Sequence, residues 1–477
     1  MHTAAYLFIC ERLIIMKIKR FLLNGFFLTA GAVITNTLGL FFRIYMSSSI
    51  GAEAIGLYQL ILTVYFFAVT ATASGVTLLV TRLVTEAAAK KEACMIKSII
   101  RRCMLTALAL SAVVGAVLFF GSSFWADCVL KQPGAAVSLR VLAPSLPFIA
   151  VSACLRGYFF AMRQAVKTAG EQLLEQITEI GVFAVLVGVM APYGIAYACC
   201  AAAIGTTVSE AVTAVYSYLL YKLDIRRIKC QSKCFPIKKH LIFIALPVTL
   251  SACLRSGLSI IENSTIPAGL QKYGFNHSRA LQDYGMITGM VMPLLAFPSV
   301  VIFSFASIII PELSEVYTKS DKGQIKKISS NVLKTVFLFS IPIAVAFFFF
   351  GKEIGLIIYG SETVGRYLCM FAAIVPIIYL DSVVDSMLKG LNQQLHYLTY
   401  NILDSFIRVV LVTLLIPKYG LMGLITVMYI GSIFNTGLSL LRLVRVAEIK
   451  IKLVWILLPL ALSTLVFSAI KGVISAI

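Results

Sequence analysis

Charge is scarce in this sequence. Only 13% of its 477 residues are Asp, Glu, Lys or Arg, against about 25% in an ordinary soluble domain, so the chain cannot clothe a water-facing surface. Intrinsic disorder, a collagen helix, a coiled coil and a disulfide scaffold are excluded by the same composition. Histidine is rarer still: His2, His240, His277 and His396 all lie at ends or in loops. No HExxH pair and no Ser-His-Asp arrangement is found. The run Gly360-Ser361-Glu362-Thr363-Val364-Gly365-Arg366 has phosphate-loop spacing, but Arg366 stands where that loop needs lysine. With no nucleotide-binding domain in the chain, ATP does not drive it. The 11 cysteines are scattered, several of them in apolar runs (Cys154, Cys199, Cys200, Cys253, Cys369). Cys230 and Cys234 have no second pair or nearby histidine to complete a zinc site, so the cysteines read as small buried hydrophobes.

What is abundant is apolar. Hydrophobic residues make up 60% of the chain, and the mean hydropathy is +0.93. A spanning helix needs about 20 such residues. The pattern predicts helices 1–6 near 21–46, 56–80, 104–124, 137–160, 173–190 and 193–221. Helices 7–12 follow near 240–265, 281–310, 331–350, 366–388, 397–416 and 420–441, and helix 13 near 453–471. The fold class is an all-α polytopic membrane protein of about 13 spans. Residues 1–15 read as an extension ahead of the short basic stretch Met16-Lys17-Ile18-Lys19-Arg20.

The net charge of +20 would suggest nucleic acid in a soluble protein. Its distribution decides otherwise. With residue 16 inside, the inner segments hold 28 Lys and Arg and the outer ones 6, the positive-inside asymmetry of a membrane protein with a cytoplasmic N-terminus. The basic run 222–239 faces anionic lipid headgroups. No nucleic-acid partner is needed.

The chain also repeats itself. A shift of 229 residues superposes Gly56 on Gly285, Glu86 on Glu315, Pro147 on Pro376 and Glu175 on Asp404. Leu155-Arg156-Gly157 meets Leu388-Lys389-Gly390 at a shift of 233, and Tyr193-Gly194 meets Tyr419-Gly420 at 226. Six helices per half is an even number, so the halves are parallel and related by an axis along the membrane normal. The expected division is an N-lobe at 16–221, a linker at 222–239, a C-lobe at 240–445 and a last helix within 446–477. Such a pair leaves a central cleft, where transporters bind substrate.

Arg43, Arg140, Arg156, Arg255 and Arg408 fall within the predicted spans, as do the acids Glu179, Glu210, Glu262, Asp381, Asp385 and Asp404. Each charge near the bilayer centre costs about 2.5–3.5 kcal/mol on insertion scales, so each requires a partner or a wet cavity. A guanidinium presents a planar fork to phosphate oxygens. Arginines together with acids point to an anionic substrate and a cycle linked to Na+ or H+. The structural alternative pairs Arg408 with Asp404 and Arg255 with Glu262. Pro247, Pro293, Pro298, Pro342 and Pro376 lie inside spans and predict kinks, those in helix 8 serving as hinges.

The stretch Thr35–Ala52, with Leu38-Gly39, Arg43 and Ile50-Gly51-Ala52, resembles helix 1 of the multidrug/oligosaccharidyl-lipid/polysaccharide (MOP) exporter superfamily. The run from Gly51 to Leu60, then Ser74-Gly75-Val76, Thr81-Arg82 and Glu86, resembles its stage V sporulation protein B group. So do Leu155-Arg156-Gly157-Tyr158-Phe159 and Glu171-Gln172-Leu173-Leu174-Glu175-Gln176. The resemblance implies two six-helix lobes opening alternately to the two sides of a bacterial cytoplasmic membrane. It implies a flippase for a polyprenyl-diphosphate-linked saccharide, such as the peptidoglycan precursor lipid II for a spore cortex, with cell-wall synthesis proteins as partners. Arg43 falls where MurJ-type lipid II flippases carry an arginine, although Ile44 replaces the acid that follows in them. Those flippases also have a cationic residue late in helix 2, where Ala73-Ser74-Gly75 stands here. On this reading Arg43, Arg255 and Arg408, then Arg140 and Arg156, contact phosphate. Asn401, Asp404 and Glu262 are candidates for a coupling cation. No catalytic residue, metal or tightly held cofactor is expected. A multidrug cation exporter of the same fold and an intramembrane polyprenyl-sugar transferase are the alternatives.

Overall fold

In the computed structural model, which describes residues 2–90, 92–226, 245–319 and 321–476, every regular element among the described residues is helical. Helices α1 (2–50) and α2 (52–89) are one helical run broken at Gly51, where φ is 78°. Next come α3 (Ala93–Phe120), α4, α5 (Ala165–Met190) and α6 (Ile195–Ile225). α4 consists of two pieces, Ala135–Leu142 and Ser145–Ala161, set at 45° to one another. After the undescribed 227–244 come α7 (Leu246–Tyr273), α8 (277–318), α9 (Lys322–Tyr359) and α10 (362–390). A second long run, broken at Gly420, supplies α11 (394–419) and α12 (421–447), and α13 (Val454–Ala476) ends the series. This grouping is consistent with the thirteen spans read from hydropathy. Eight helical runs are long and apolar enough to cross a bilayer, and the bent pair of α4 makes a ninth. The two broken runs, of 60 and 54 residues, are each long enough for two crossings at 1.5 Å per residue.

Most inner segments expected as loops are helix. The segment 81–103 is spanned by α2 to Ala89 and by α3 from Ala93, and α5 already begins at Ala165. Hydropathy registers only the apolar middle of a helix, while charged residues one turn apart extend it into the interface. Arg82 bonds Glu86 at 3.1 Å and Lys319 bonds Glu315 at 2.6 Å. Residues 1–15, expected as an extension, are helical from His2. Of the basic run 222–239, all beyond Arg226 lies outside the described residues.

The expected kinks fall unevenly. Pro247 stands near the start of the described part of α7, Pro376 directly follows a 3-10 turn at Ala372–Ile374 that interrupts α10, and Pro342 lies inside α9. Helix α8 is interrupted by a π-helical turn at Met286–Val291 followed by Pro293, and again at Pro298, which caps Ser299–Thr318.

The backbone carries the repeat more clearly than the side chains do. Nine described residues have positive φ, and eight of them fall into pairs across the two halves: Gly51 with Gly274, Lys131 with Gly360, Arg163 with Asn392 and Gly194 with Gly420. The second and third pairs are each 229 residues apart, and the last is 226 apart. Lys131 and Gly360 both end their helices in the left-handed conformation, so at that connection the two halves use the same backbone device. The protein is two parallel six-helix lobes and a terminal helix.

Packing within the lobes relies on small residues, since helix association in lipid needs close van der Waals approach. Ala198, Cys199, Cys200, Ala201, Ala202 and Ala203 of α6 are all buried, and the Cys199 thiol lies 3.2 Å from the Ala54 carbonyl of α2. Phe42 of α1 meets Phe183 of α5 edge to face at 5.3 Å. Helix α13 rests on α9, with Phe467 against Phe350. Phe120 and Ile357 stand more than four-fifths exposed, as lipid-facing side chains do.

The lobes meet where the repeat meets itself. A Cβ on Gly285 of α8 would lie 2.5 Å from the Gly56 nitrogen and 2.2 Å from the Ala52 carbonyl of α2. A Cβ on Gly56 would lie 2.1 Å from the Leu281 carbonyl. All these neighbours are backbone, which cannot step aside, and Ser278 donates a hydrogen bond to Glu53 beside them. Gly285→Ala is therefore expected to part α2 from α8 at a cost of about 1–3 kcal/mol. It should lower the melting temperature and lengthen the distance between spin labels at positions 53 and 278. An unchanged distance would show that this contact does not hold the lobes together.

Candidate functional site

Charges placed by the sequence within spans converge on a set of cavities between and inside the lobes. The largest, about 1010 Å³, is walled by α1, α2, α5, α6 and α8 and contains Arg43, Tyr58, Gln59, Glu179 and Glu210. A second, about 580 Å³, lies between α2, α7 and α11 and contains Arg255, Glu262, Asn401, Asp404 and Arg408. A third, about 350 Å³, lies within the first lobe against Arg156, Glu175 and Glu210. They share walls. Phe66 lines the first and second, Thr70 and Ser74 the second and third, and Glu175 and Glu210 the first and third.

Helix α2 is thus the partition common to all three. Its approach to α7 is close: a Cβ on Gly75 would lie 2.8 Å from the Ala245 carbonyl. Threonines hold its other side to α4, Thr77 and Thr81 donating to the Ala153 and Gly157 carbonyls, each at 3.1 Å.

Of the five arginines singled out from the sequence, four line these cavities and one does not. Arg140 is exposed and donates to Ser122 and Ser123 at 2.8 and 2.9 Å. It lines none of the three, because its half of α4 packs at the far end of the lobe. Arg408 is bound by Asp404, one turn away on α11, at 2.8 Å. Gly431 makes room for it, since a Cβ there would lie 2.7 Å from the guanidinium carbon. Arg156 is bound by Glu171 at 2.9 Å and lies 3.7 Å from Glu175. Arg43 and Arg255 make no ion pair among the described residues. The pairing of Arg255 with Glu262 entertained from sequence does not form, whereas that of Arg408 with Asp404 does. Two guanidinium forks are thereby left free for a ligand.

Asn401 donates to Asp385 at 3.3 Å and to the Tyr397 carbonyl at 2.8 Å. Asp404 gives one carboxylate oxygen to Arg408 and leaves the other buried without a partner. Beside Arg408 a pocket of about 220 Å³ contains Asp381, which accepts hydrogen bonds from Asn435 and Thr436. Asp385 accepts another from Ser439 at 3.2 Å. Among the described residues no group of three or more His, Cys, Asp or Glu side chains is arranged to hold a metal ion.

Sequence reasoning noted Asp381, Asp385, Glu179 and Glu210 as intramembrane acids without assigning them to the site. A signal was present for the first two: Asp381 and Asp385 are one turn apart, as are Asn435 and Ser439 on α12, so each set shares one helix face. Glu171 was missed because it was read as part of an inner loop. It is fully buried.

The two helical lobes and the charged cavities between and inside them are the architecture of a membrane transporter. Its fold is that of the MOP superfamily. An inward-facing multidrug resistance MATE family transporter superposes with a TM-score of 0.65 at 14% identity, covering 92% of this chain and 96% of that one. The lipid II flippase MurJ in an inward closed conformation gives 0.61 at 16% identity, covering 93% and 98%. Within that class, the chain belongs to the polysaccharide biosynthesis protein family, which matches residues 21–317. Stage V sporulation protein B of Bacillus subtilis (strain 168) is 25% identical across 96% of this chain and 91% of its own. The lipid II flippase MurJ of the same organism is 22% identical across 95% and 87%.

Removing one member of a buried ion pair leaves an uncompensated charge, at a cost of about 3 kcal/mol or more. Asp404→Asn should therefore destabilise the folded protein, and Asp404→Asn/Arg408→Gln should recover part of the loss. Thermal unfolding in detergent measures both. A double variant no more stable than the single one would show that the pair contributes nothing as a pair.

Proposed function

We propose that this transporter flips a polyprenyl-diphosphate-linked saccharide, a peptidoglycan precursor such as lipid II destined for a spore cortex, by alternating access. The observation that carries the reading is the pair of unpaired guanidinium groups, Arg43 and Arg255, on helices α1 and α7 that open the two lobes. A diphosphate is the dianionic headgroup that two such forks match. Membership of a polysaccharide biosynthesis family, and relatives named for sporulation and for lipid II flipping, support the saccharide. Arg408 and Arg156 contribute only if substrate competes with their carboxylates, and Arg140 stands apart.

In this reading the lobes at 16–221 and 240–445 rock about the contact of α2 with α8, and the segment 446–477 travels with the second. The basic run 222–239 and the N-terminus face the cytoplasm of a bacterial cell. Cysteine labelling of intact cells should reach 266–280 and 351–366 but not 222–239; labelling of that run would reverse the orientation. A coupling Na+ or H+ would sit at Asn401, Asp404 and Glu262, whose carboxylates adjoin Arg408. The Asp404→Asn protein should then flip with weakened dependence on sodium or pH, and an unchanged dependence would restrict Asp404 to its ion pair.

Loss of one charged hydrogen bond costs about 1.5–3 kcal/mol, or roughly a 10- to 150-fold loss of affinity. Arg43→Ala and Arg255→Ala should each weaken lipid II binding and flipping by that factor. Arg43→Lys should restore binding in part, since lysine keeps the charge and loses the fork. Full binding by well-folded alanine variants at both positions would sink the diphosphate clamp.

A further inference from the structure

The third compartment has no free guanidinium, whereas each of its two neighbours contains an arginine without an ion pair among the described residues. Its one cation, Arg156, is engaged by Glu171, with Glu175 nearby. Glu210 lines both this compartment and the central cavity and has no hydrogen bond or ion pair among the described residues. Three carboxylates thus face one guanidinium. The wall also contains Ser152 of α4, 1% exposed, whose hydroxyl has no hydrogen-bond partner. A buried hydroxyl left unsatisfied costs about 1–3 kcal/mol, and Ser152 is one of the residues lining the cavity. A volume of about 350 Å³ is within the range of small-molecule pockets, about 300–1,000 Å³.

We infer that this compartment receives a primary ammonium group carried by the saccharide end of the transported lipid, accepted by Glu210, Glu175 and the Ser152 hydroxyl. A second diphosphate subsite is disfavoured because the one guanidinium here is already engaged by Glu171, which leaves no free fork for phosphate. Neutral sugar hydroxyls would be served by serine and threonine alone and leave the surplus acid without a purpose. A bound metal ion is disfavoured by the absence of any suitable group among the described residues. An ammonium has three donors and no acceptor, and the three groups named are acceptors. The geometry also orders the substrate. Glu210 and Glu175 stand on the wall shared with the Arg43 cavity, and Thr70 and Ser74 on the wall shared with the Arg255 compartment. A molecule with a diphosphate at one end and an amine at the other can therefore occupy arginine and acid compartments together.

This inference rests on the flippase reading above, and the experiment separates the two. The full chain in detergent is titrated with an undecaprenyl-diphosphate-linked disaccharide pentapeptide bearing a free side-chain amine, and with the same molecule N-acetylated at that amine. The free amine should bind at least about 10-fold tighter, the effect of one charged hydrogen bond. In folded Glu210→Gln the two affinities should converge, and in Ser152→Ala their ratio should shrink several-fold. Equal affinities in the unaltered protein would overturn the ammonium site while leaving the diphosphate clamp standing. So would a ratio that survives both Glu210→Gln and Glu175→Gln, or a Glu210→Gln protein that loses both ligands alike. If neither ligand binds at all, the flippase reading itself falls, and the ammonium site with it.

Discussion

A charge inside a bilayer must be paired or wetted, and the interior of this protein is arranged around that requirement. Its intramembrane cations have three environments. Arg408 and Arg156 are locked to carboxylates. Arg140 reaches serines at the edge of its lobe. Arg43 and Arg255 have neither and stand in cavities large enough to be wet. Only the last kind can offer full charge to a ligand without first breaking a bond. The helices that line the cavities carry the cost in their own composition. Helix α7, with Arg255, Ser256, Ser259, Glu262 and Asn263 along it, falls below the apolarity of a simple spanning helix. It is held in the bundle by its neighbours α2 and α11, not by lipid.

The repeat explains where the two lobes meet. An axis relating two halves must bring some position of one half against its own counterpart, much as in an isologous interface. Gly56 and Gly285 are that position, and their backbones touch because neither has a side chain. The glycine contact itself is van der Waals packing with no directional bond, although Ser278 of α8 donates to Glu53 of α2 beside it. The sulfur of Met290 and the hydroxyl of Ser47, at 3.6 Å, are similarly weak partners nearby. Other hydrogen bonds lie within lobes, between α2 and α4 and between α10 and α12. A rocking motion leaves those intact.

Much of this was legible in the sequence, and the failures have a physical pattern. The helical membrane class, the two halves and the match of Tyr193-Gly194 with Tyr419-Gly420 were readable because hydropathy and glycine are local signals. Arg163 and Asn392 adopt the same left-handed turn 229 residues apart, yet share no side-chain chemistry, so sequence alignment passes over them. Helix ends were misplaced wherever charged residues continue a helix beyond the apolar core. The arginines were found because any intramembrane charge is conspicuous. Which of them are free was not legible: Arg255 lies two turns from Glu262 on one helix, and only the packing of α7 against α2 and α11 decides that they stay apart. Ser152, an ordinary serine in an apolar run, gave no signal at all.

Symmetry of backbone does not extend to charge, and that difference gives the cleft a direction. At a shift of 229, Glu175 corresponds to Asp404, an acid in both lobes, but Glu179 corresponds to Arg408. In the second lobe the acid and the arginine neutralise each other across one helical turn. In the first lobe the two acids reinforce each other, and their compensation must come from elsewhere: Arg156 on α4 reaches toward Glu175, while Arg43 shares the cavity with Glu179. Two identical lobes would present any ligand with two equivalent poses related by half a turn about the membrane normal. The exchanged charge removes that degeneracy. An anion meets free arginine on α1 and α7, and a ligand carrying both charges meets a different order of acid and arginine in each lobe, so its two poses are not equivalent.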